Sequence, residues 1–184
     1  REAHGIGLIH RDIKPQNIML CERGGLWDFV KVLDFGLVKQ VSGADASQLT
    51  ADQQVSGTPL YIAPEVWSQP HQADARADIY ALGVVGFYLL TGRDPFEAET
   101  LAELFHLVTT CDPPLPSSRS DARIPAPLDA LIRACMAKDP GRRLATIDAV
   151  LTVLEGDLGL PCWTPEQAQA WWAQRHPAAP RTAD

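Results

Sequence analysis

IHRDIKPQNIML, residues 9–20, places four strongly solvated groups, His10, Arg11, Asp12 and Lys14, beside a proline and then runs into Ile18-Met19-Leu20. An acid, an ammonium and an amide packed so closely need a chemical reason. The carboxylate of Asp12 is suited to accept or orient a hydroxyl proton. The ammonium of Lys14 neutralises a phosphate as a point charge. The amide oxygen of Asn17 is a hard ligand of the kind Mg²⁺ prefers. The apolar run that follows reads as the strand that fixes these groups in the core.

Outward from this stretch, Ile18-Met19-Leu20 and Val30-Lys31-Val32-Leu33 flank CERGGLWDF, whose Gly24-Gly25 is a turn signal. The two runs predict a small hairpin. Asp34 stands at its end, ahead of Phe35-Gly36. A hairpin returns its end close to its start, so Asp34 is expected near Asn17, and two oxygen ligands converge for one or two metal ions. A proton acceptor, a phosphate clamp and a metal are the requirements for in-line phosphoryl transfer to a hydroxyl.

HRDIKPQN at 10–17, DFG at 34–36 and APE at 63–65 resemble the catalytic loop, the metal-binding motif and the activation-segment end of the protein kinases. The resemblance implies Asp12 as catalytic base, Lys14 on the transferring phosphate, and Asn17 and Asp34 as Mg²⁺ ligands in a site for ATP. Lys14 two residues after Asp12, and GTPLYIAPE at 57–65, are similar to serine/threonine rather than tyrosine kinases, and LCERGGLWDFVKVLDFGLVK resembles bacterial members. Asp78 and Gly83 in DIYALG resemble the start of the family's central helix, where the acid ties down the catalytic-loop backbone. Ala81 stands where a serine is more usual. KDPGRR at 138–143 resembles the late arginine motif, which pairs Arg143 with Glu65, Arg142 being the alternative. The implied fold is mainly α with a small β-hairpin, the large lobe only of a protein-kinase-like fold, over residues 1–156, with a helical tail at 157–184.

Taken singly, HRD is equally a solvated turn and DFG a strand end followed by a turn glycine. The ordered set carries the resemblance. GIGLIH at 5–10 imitates the start of a glycine-rich phosphate loop, but His10 replaces the last glycine and no strand precedes it, so a helix end turning into the loop is expected. Thr58 reads either as a phosphosite or as a hydroxyl that bonds Asp12 and Lys14; the family pattern implies the second. Thr50 and Ser56 are candidate phosphosites, with Arg11 as the guanidinium partner for a phosphate of about −1.5 to −2 charges. Ordinary loop hydroxyls are the competing reading, and Asp52 is a constitutive source of negative charge. His71 and His106 are expected at the surface. The acidic FEAET at 96–100 reads as a solvated helix start.

The 184 residues are 46% hydrophobic and 21% charged with a formal net charge of −7, which suits one globular domain and argues against a general nucleic-acid binder. Cys21, Cys111, Cys135 and Cys162 are scattered without metal-ligand spacing, as in a reduced cytoplasmic setting. IYALGVVGFYLL at 79–90 is too short to span a bilayer, and residues 78–91 read as a helix buried on all sides. Residues 36–60 lack any period and predict a long functional loop. Amphipathic spacing marks helices at Leu101-Leu104-Phe105-Val108, at Leu128-Leu131-Ile132-Cys135-Met136 and at Ile147-Val150-Leu151-Leu154. Thr164-Pro165-Glu166-Gln167 has the form of a capping box opening a last helix, whose Trp171-Trp172 close it onto the body. The segment after His176 is expected to fray.

The resemblance also implies a smaller N-terminal lobe with a glycine-rich loop, a phosphate-binding lysine and a glutamate partner. None is in these residues. The chain therefore reads as a fragment that by itself transfers phosphate negligibly. Membrane tethering through a segment elsewhere is compatible with the resemblance. The implied partners are ATP, Mg²⁺, the absent lobe and a protein substrate bearing Ser or Thr. A docking scaffold of the pseudokinase kind is the alternative function.

Overall fold

The computed structural model describes residues 1–33, 59–69 and 73–175. Asp34, Phe35, Gly36, Thr50, Asp52, Ser56, Thr58 and His71 lie outside the described residues.

The fold begins with one turn of helix, α1 (Glu2–Gly5), and Gly7 follows with φ 78°, a left-handed bend that glycine adopts without strain. A 3₁₀ turn at Pro15–Asn17 leads into β1 (Ile18–Arg23), which pairs antiparallel with β2 (Leu26–Val32) in the register Ile18↔Val32. Gly24 and Gly25 both have positive φ, as a two-residue hairpin turn of the primed type needs. The strands reach further toward the turn than the apolar runs alone suggest.

The strands are not core. Met19 is 49% and Leu20 48% exposed, and Leu26 and Val30 are exposed as well. The expectation that Ile18–Leu20 anchors the site by burial is therefore corrected. Among the described residues the hairpin is a two-stranded sheet, and hydrogen bonds hold its open end: Leu33 N–H donates to the carbonyl of Asn17 at 2.8 Å and His10 Nε2 donates to the carbonyl of Leu33 at 3.0 Å.

The helical body is built on α3 (Ala75–Thr91), flanked by α2 (Pro64–Ser68), α4 (Leu101–Thr110), α5 (Ala126–Cys135) and α6 (Ile147–Leu154). Tyr80, Val84 and Phe87 on α3 pack with Leu60, Phe96, Leu104, Val108 and Ile132; Ile79 packs with Leu128, Leu131, Cys135 and Val150. The helix therefore packs into two clusters on different faces, which is why its sequence lacks a polar stripe. Burial on all sides ends before its last turn, since Leu89 is 76% exposed. Asp74 caps the helix by accepting from Arg76 N–H, and Gly92 at φ 68° terminates it.

Gly83 and Gly86 set the α3–α5 approach. A Cβ on Gly83 would lie 2.7 Å from Cys135 Cβ, and one on Gly86 2.5 Å from Ile132 Cδ1. The predicted α5 face is buried in full, Leu128, Leu131, Ile132, Cys135 and Met136 together. On α4, Leu104 and Val108 are buried, and the more exposed Phe105 meets Trp67 edge-on at 5.6 Å. On α6 only Val150 is buried. The last helix, α7 (Pro165–Arg175), opens with the reciprocal capping box: Thr164 N–H donates to Gln167 Oε1 at 2.9 Å and Gln167 N–H to Thr164 Oγ1 at 3.3 Å.

Candidate active site

The loop at residues 10–17 is shaped by one buried acid. Asp78, 6% exposed on the first turn of α3, accepts from His10 N–H at 2.8 Å (Oδ2), from Arg11 N–H at 2.8 Å (Oδ1) and from His4 Nε2 at 2.8 Å (Oδ2). Three donors satisfy a carboxylate that would otherwise be costly to bury. The grip explains an unfavourable backbone: Arg11 has φ 64°, in the left-handed region that a long side chain seldom adopts. The Arg11 side chain is exposed.

His10 is buried and continues the scaffold. Its Nδ1 accepts from Asp12 N–H at 3.3 Å while Nε2 faces the Leu33 carbonyl. A carbonyl only accepts and a backbone N–H only donates, so the ring is the neutral tautomer with its proton on Nε2. One imidazole thus links the loop before Asp12 to the end of β2.

The chemistry-bearing residues meet at Asp12. Its Oδ2 lies 2.9 Å from Lys14 Nζ and accepts from Asn17 Nδ2 at 2.8 Å; the same Nδ2 also donates to the Asp12 carbonyl at 2.8 Å. Asn17 is 8% exposed at the end of the 3₁₀ turn, so its orientation is fixed. With Nδ2 committed to Asp12, the amide's remaining polar atom is Oδ1, a hard oxygen that fits Mg²⁺ by donor type. Asp12 Oδ1 makes no hydrogen bond among the described residues. Asp34 is the residue after Leu33, whose amide is bonded to the Asn17 carbonyl.

A second polar node joins α2 to α3 and to the segment after α5. Arg143 has no side-chain exposure and forms a bidentate pair with Glu65 of α2, at 2.6 Å for each bond. Its remaining donors reach the carbonyls of Ala137 at 2.7 Å, Arg76 at 3.1 Å and Lys138 at 3.1 Å, so all five N–H groups are used. Arg142, the alternative partner, is exposed. The guanidinium also lies over the Tyr80 ring, 5.1 Å from its centroid.

Sequence reasoning missed three participants. His4 is separated from Asp78 by 74 residues and carries no motif. Arg76 ties the turn at Pro140–Arg142 to α3 by donating to the Pro140 carbonyl at 3.0 Å, and its only signal was a basic residue beside the Asp74 cap. Asp28, with φ 57° in β2, accepts from Trp163 and Trp172 of the tail. No helix among the described residues is long and apolar enough to cross a membrane.

The family model "Protein kinase domain" matches residues 2–153. The chain is 42% identical over 156 residues to serine/threonine-protein kinase pkn3 of Myxococcus xanthus, which covers 84% of this chain and 28% of that protein. It is 46% identical over 153 residues to serine/threonine-protein kinase Pkn1 of the same organism, covering 83% and 22%. Identity to the probable serine/threonine-protein kinase PknB of Corynebacterium glutamicum is 40% over 147 residues, covering 78% and 22%. The chain therefore spans between 22% and 28% of the length of these three relatives.

Proposed function

This chain belongs to the protein kinase domain family, and from that premise we propose that it carries the phosphotransfer residues of an ATP-dependent protein serine/threonine kinase. The observation that carries the reading is the constellation at Asp12, whose single Oδ2 is held by both Lys14 and Asn17.

In this reading Asp12 Oδ1 accepts the proton of a substrate Ser or Thr hydroxyl. The hydroxyl oxygen attacks the γ-phosphorus of ATP, the bond to the β-bridging oxygen breaks, and ADP leaves. Lys14 sits beside the acceptor and supplies positive charge to the transferring phosphoryl group. Asn17 has two tasks: Nδ2 orients Asp12, and Oδ1 would hold Mg²⁺ together with Asp34. Mg²⁺, when bound, neutralises charge on the phosphates. Asp78 and His10 are positioning residues for this loop, Arg143 and Glu65 hold the substrate platform, and Thr58 is assigned to the Asp12–Lys14 hydroxyl role. Thr50 and Ser56 are the proposed phosphosites, with Arg11 as their partner. The cytoplasm, which supplies ATP, is the proposed compartment.

The test follows transfer of labelled γ-phosphate to a generic basic protein by the native polypeptide that carries this chain. Label on serine or threonine is expected. Asp12→Asn is expected to lower the rate by about 10²–10⁴-fold without changing the melting temperature. A wild-type polypeptide that transfers nothing, or an Asp12→Asn variant equal to it, would replace this reading with the docking-scaffold one.

A further inference from the structure

The tail meets the hairpin at Asp28. Cys21 pairs with Phe29 and Arg23 with Leu26, so Glu22 faces both Trp27 and Asp28. This is a β-bulge, a device that re-aims side chains. Asp28 occupies it at φ 57°, where glycine would be the least strained choice. The carboxylate is what glycine lacks, and both its oxygens are used: Oδ2 accepts from Trp163 Nε1 at 2.7 Å and Oδ1 from Trp172 Nε1 at 2.6 Å. Two indoles 135 and 144 residues away in sequence converge on one acid. Trp27 adds a ring contact to Trp172, with centroids 6.3 Å apart.

The hairpin so clasped is the element whose first strand follows Asn17 directly and whose end is bonded back to the Asn17 carbonyl. Its faces contribute little core burial. A carboxylate gripping two N–H donors is the stronger class of hydrogen bond. We infer that the segment from Trp163 to Arg175 is a strap that holds the hairpin through Asp28, and that Asp28 is a positioning residue for the metal-binding amide of Asn17. The role assigned to Asn17 rests on the proposed kinase function; the mechanical coupling does not.

Two variants of the native polypeptide isolate the clasp. Asp28→Gly removes the carboxylate while relieving the backbone, and Trp163→Phe/Trp172→Phe removes both N–H donors while keeping rings. Amide hydrogen exchange is read on β1, β2, Leu33 and α7, with α3 and α5 as internal controls. The expected result is exchange faster by about tenfold in both α7 and the hairpin, with the controls unchanged. Faster exchange in α7 alone would overturn the positioning role, and no change in α7 would overturn the clasp itself. In phosphotransfer, the Mg²⁺ concentration for half-maximal rate is expected to rise by about threefold or more while kcat at saturating Mg²⁺ stays within about twofold. An unchanged Mg²⁺ requirement in a variant whose hairpin has loosened would overturn the link to Asn17. If the wild type transfers no phosphate, the proposed function fails while the exchange result still decides the strap.

Discussion

Asp78 and Arg143 are both buried charged side chains, both are anchored at the start of α3, and they organise their surroundings in opposite ways. Arg143 is a donor that collects acceptors: one carboxylate and the carbonyls of Ala137, Arg76 and Lys138. Asp78 is an acceptor that collects donors: the backbone of His10 and Arg11 and the ring of His4. The arginine node neutralises its charge with Glu65 and fastens helices and turns to each other. The aspartate node meets mostly neutral N–H groups and bends a backbone to a shape it would not choose. The first is scaffolding and the second is aiming.

The comparison predicts unequal costs. Glu65→Ala leaves the Arg143 guanidinium buried without a counter-charge, and a cost of about 3–5 kcal/mol is expected. That corresponds to a fall of about 10 °C in melting temperature, measured on the native polypeptide. Asp78→Asn keeps one acceptor oxygen and, in either amide orientation, presents an NH₂ to a backbone N–H that only donates. A stability loss of about 2 kcal/mol is expected, with faster exchange of the Arg11 amide and no change in α5. An Asp78→Asn variant as unstable as Glu65→Ala would break the distinction between the nodes.

The smallest effect sharpens it. Lys138 gives its carbonyl to Arg143, and its own ammonium lies 4.4 Å from the Phe96 ring centroid. Burial pushes its pKa down from 10.5 to about 8, against the opposing pull of Asp112. Between these values the unfolded chain binds the proton and the folded chain does not, so stability rises with pH across that window. The gain is expected to be about 1–2 kcal/mol once solvent screening is allowed for. Lys138→Met should abolish that part of the pH dependence in denaturant titrations at pH 8 and pH 10.

How much of this was legible in the sequence follows from the range of each interaction. The α5 face and the capping box at Thr164 were readable because helical periodicity and caps are local. Asp12, Lys14 and Asn17 were readable because they lie within six residues and their chemistries are complementary. The exposure of the hairpin was not, because an apolar strand carries no mark of whether another layer covers it. The pairing of Arg143 with Glu65 was readable from the late arginine motif, but the carbonyls that fill the rest of its donor set were not, because every residue has one and no sequence pattern distinguishes them. Asp28 was unreadable for a related reason: an aspartate in a strand looks like solvent-facing polarity until a bulge turns it toward two indoles.

The sequence span of the two nodes has a kinetic consequence. Glu65 and Arg143 are 78 residues apart, and Asp78 reaches back 68 residues to His10. Closing such spans costs chain entropy before any contact compensates it, whereas the turns of α3 and α5 need only near neighbours. Helices should therefore be formed, and partly packed, when the rate-limiting barrier is crossed, with both nodes closing on the native side. Breaking a node then leaves the refolding limb of the chevron almost in place and steepens escape from the native state, so the two charged centres act as locks on an assembly already made.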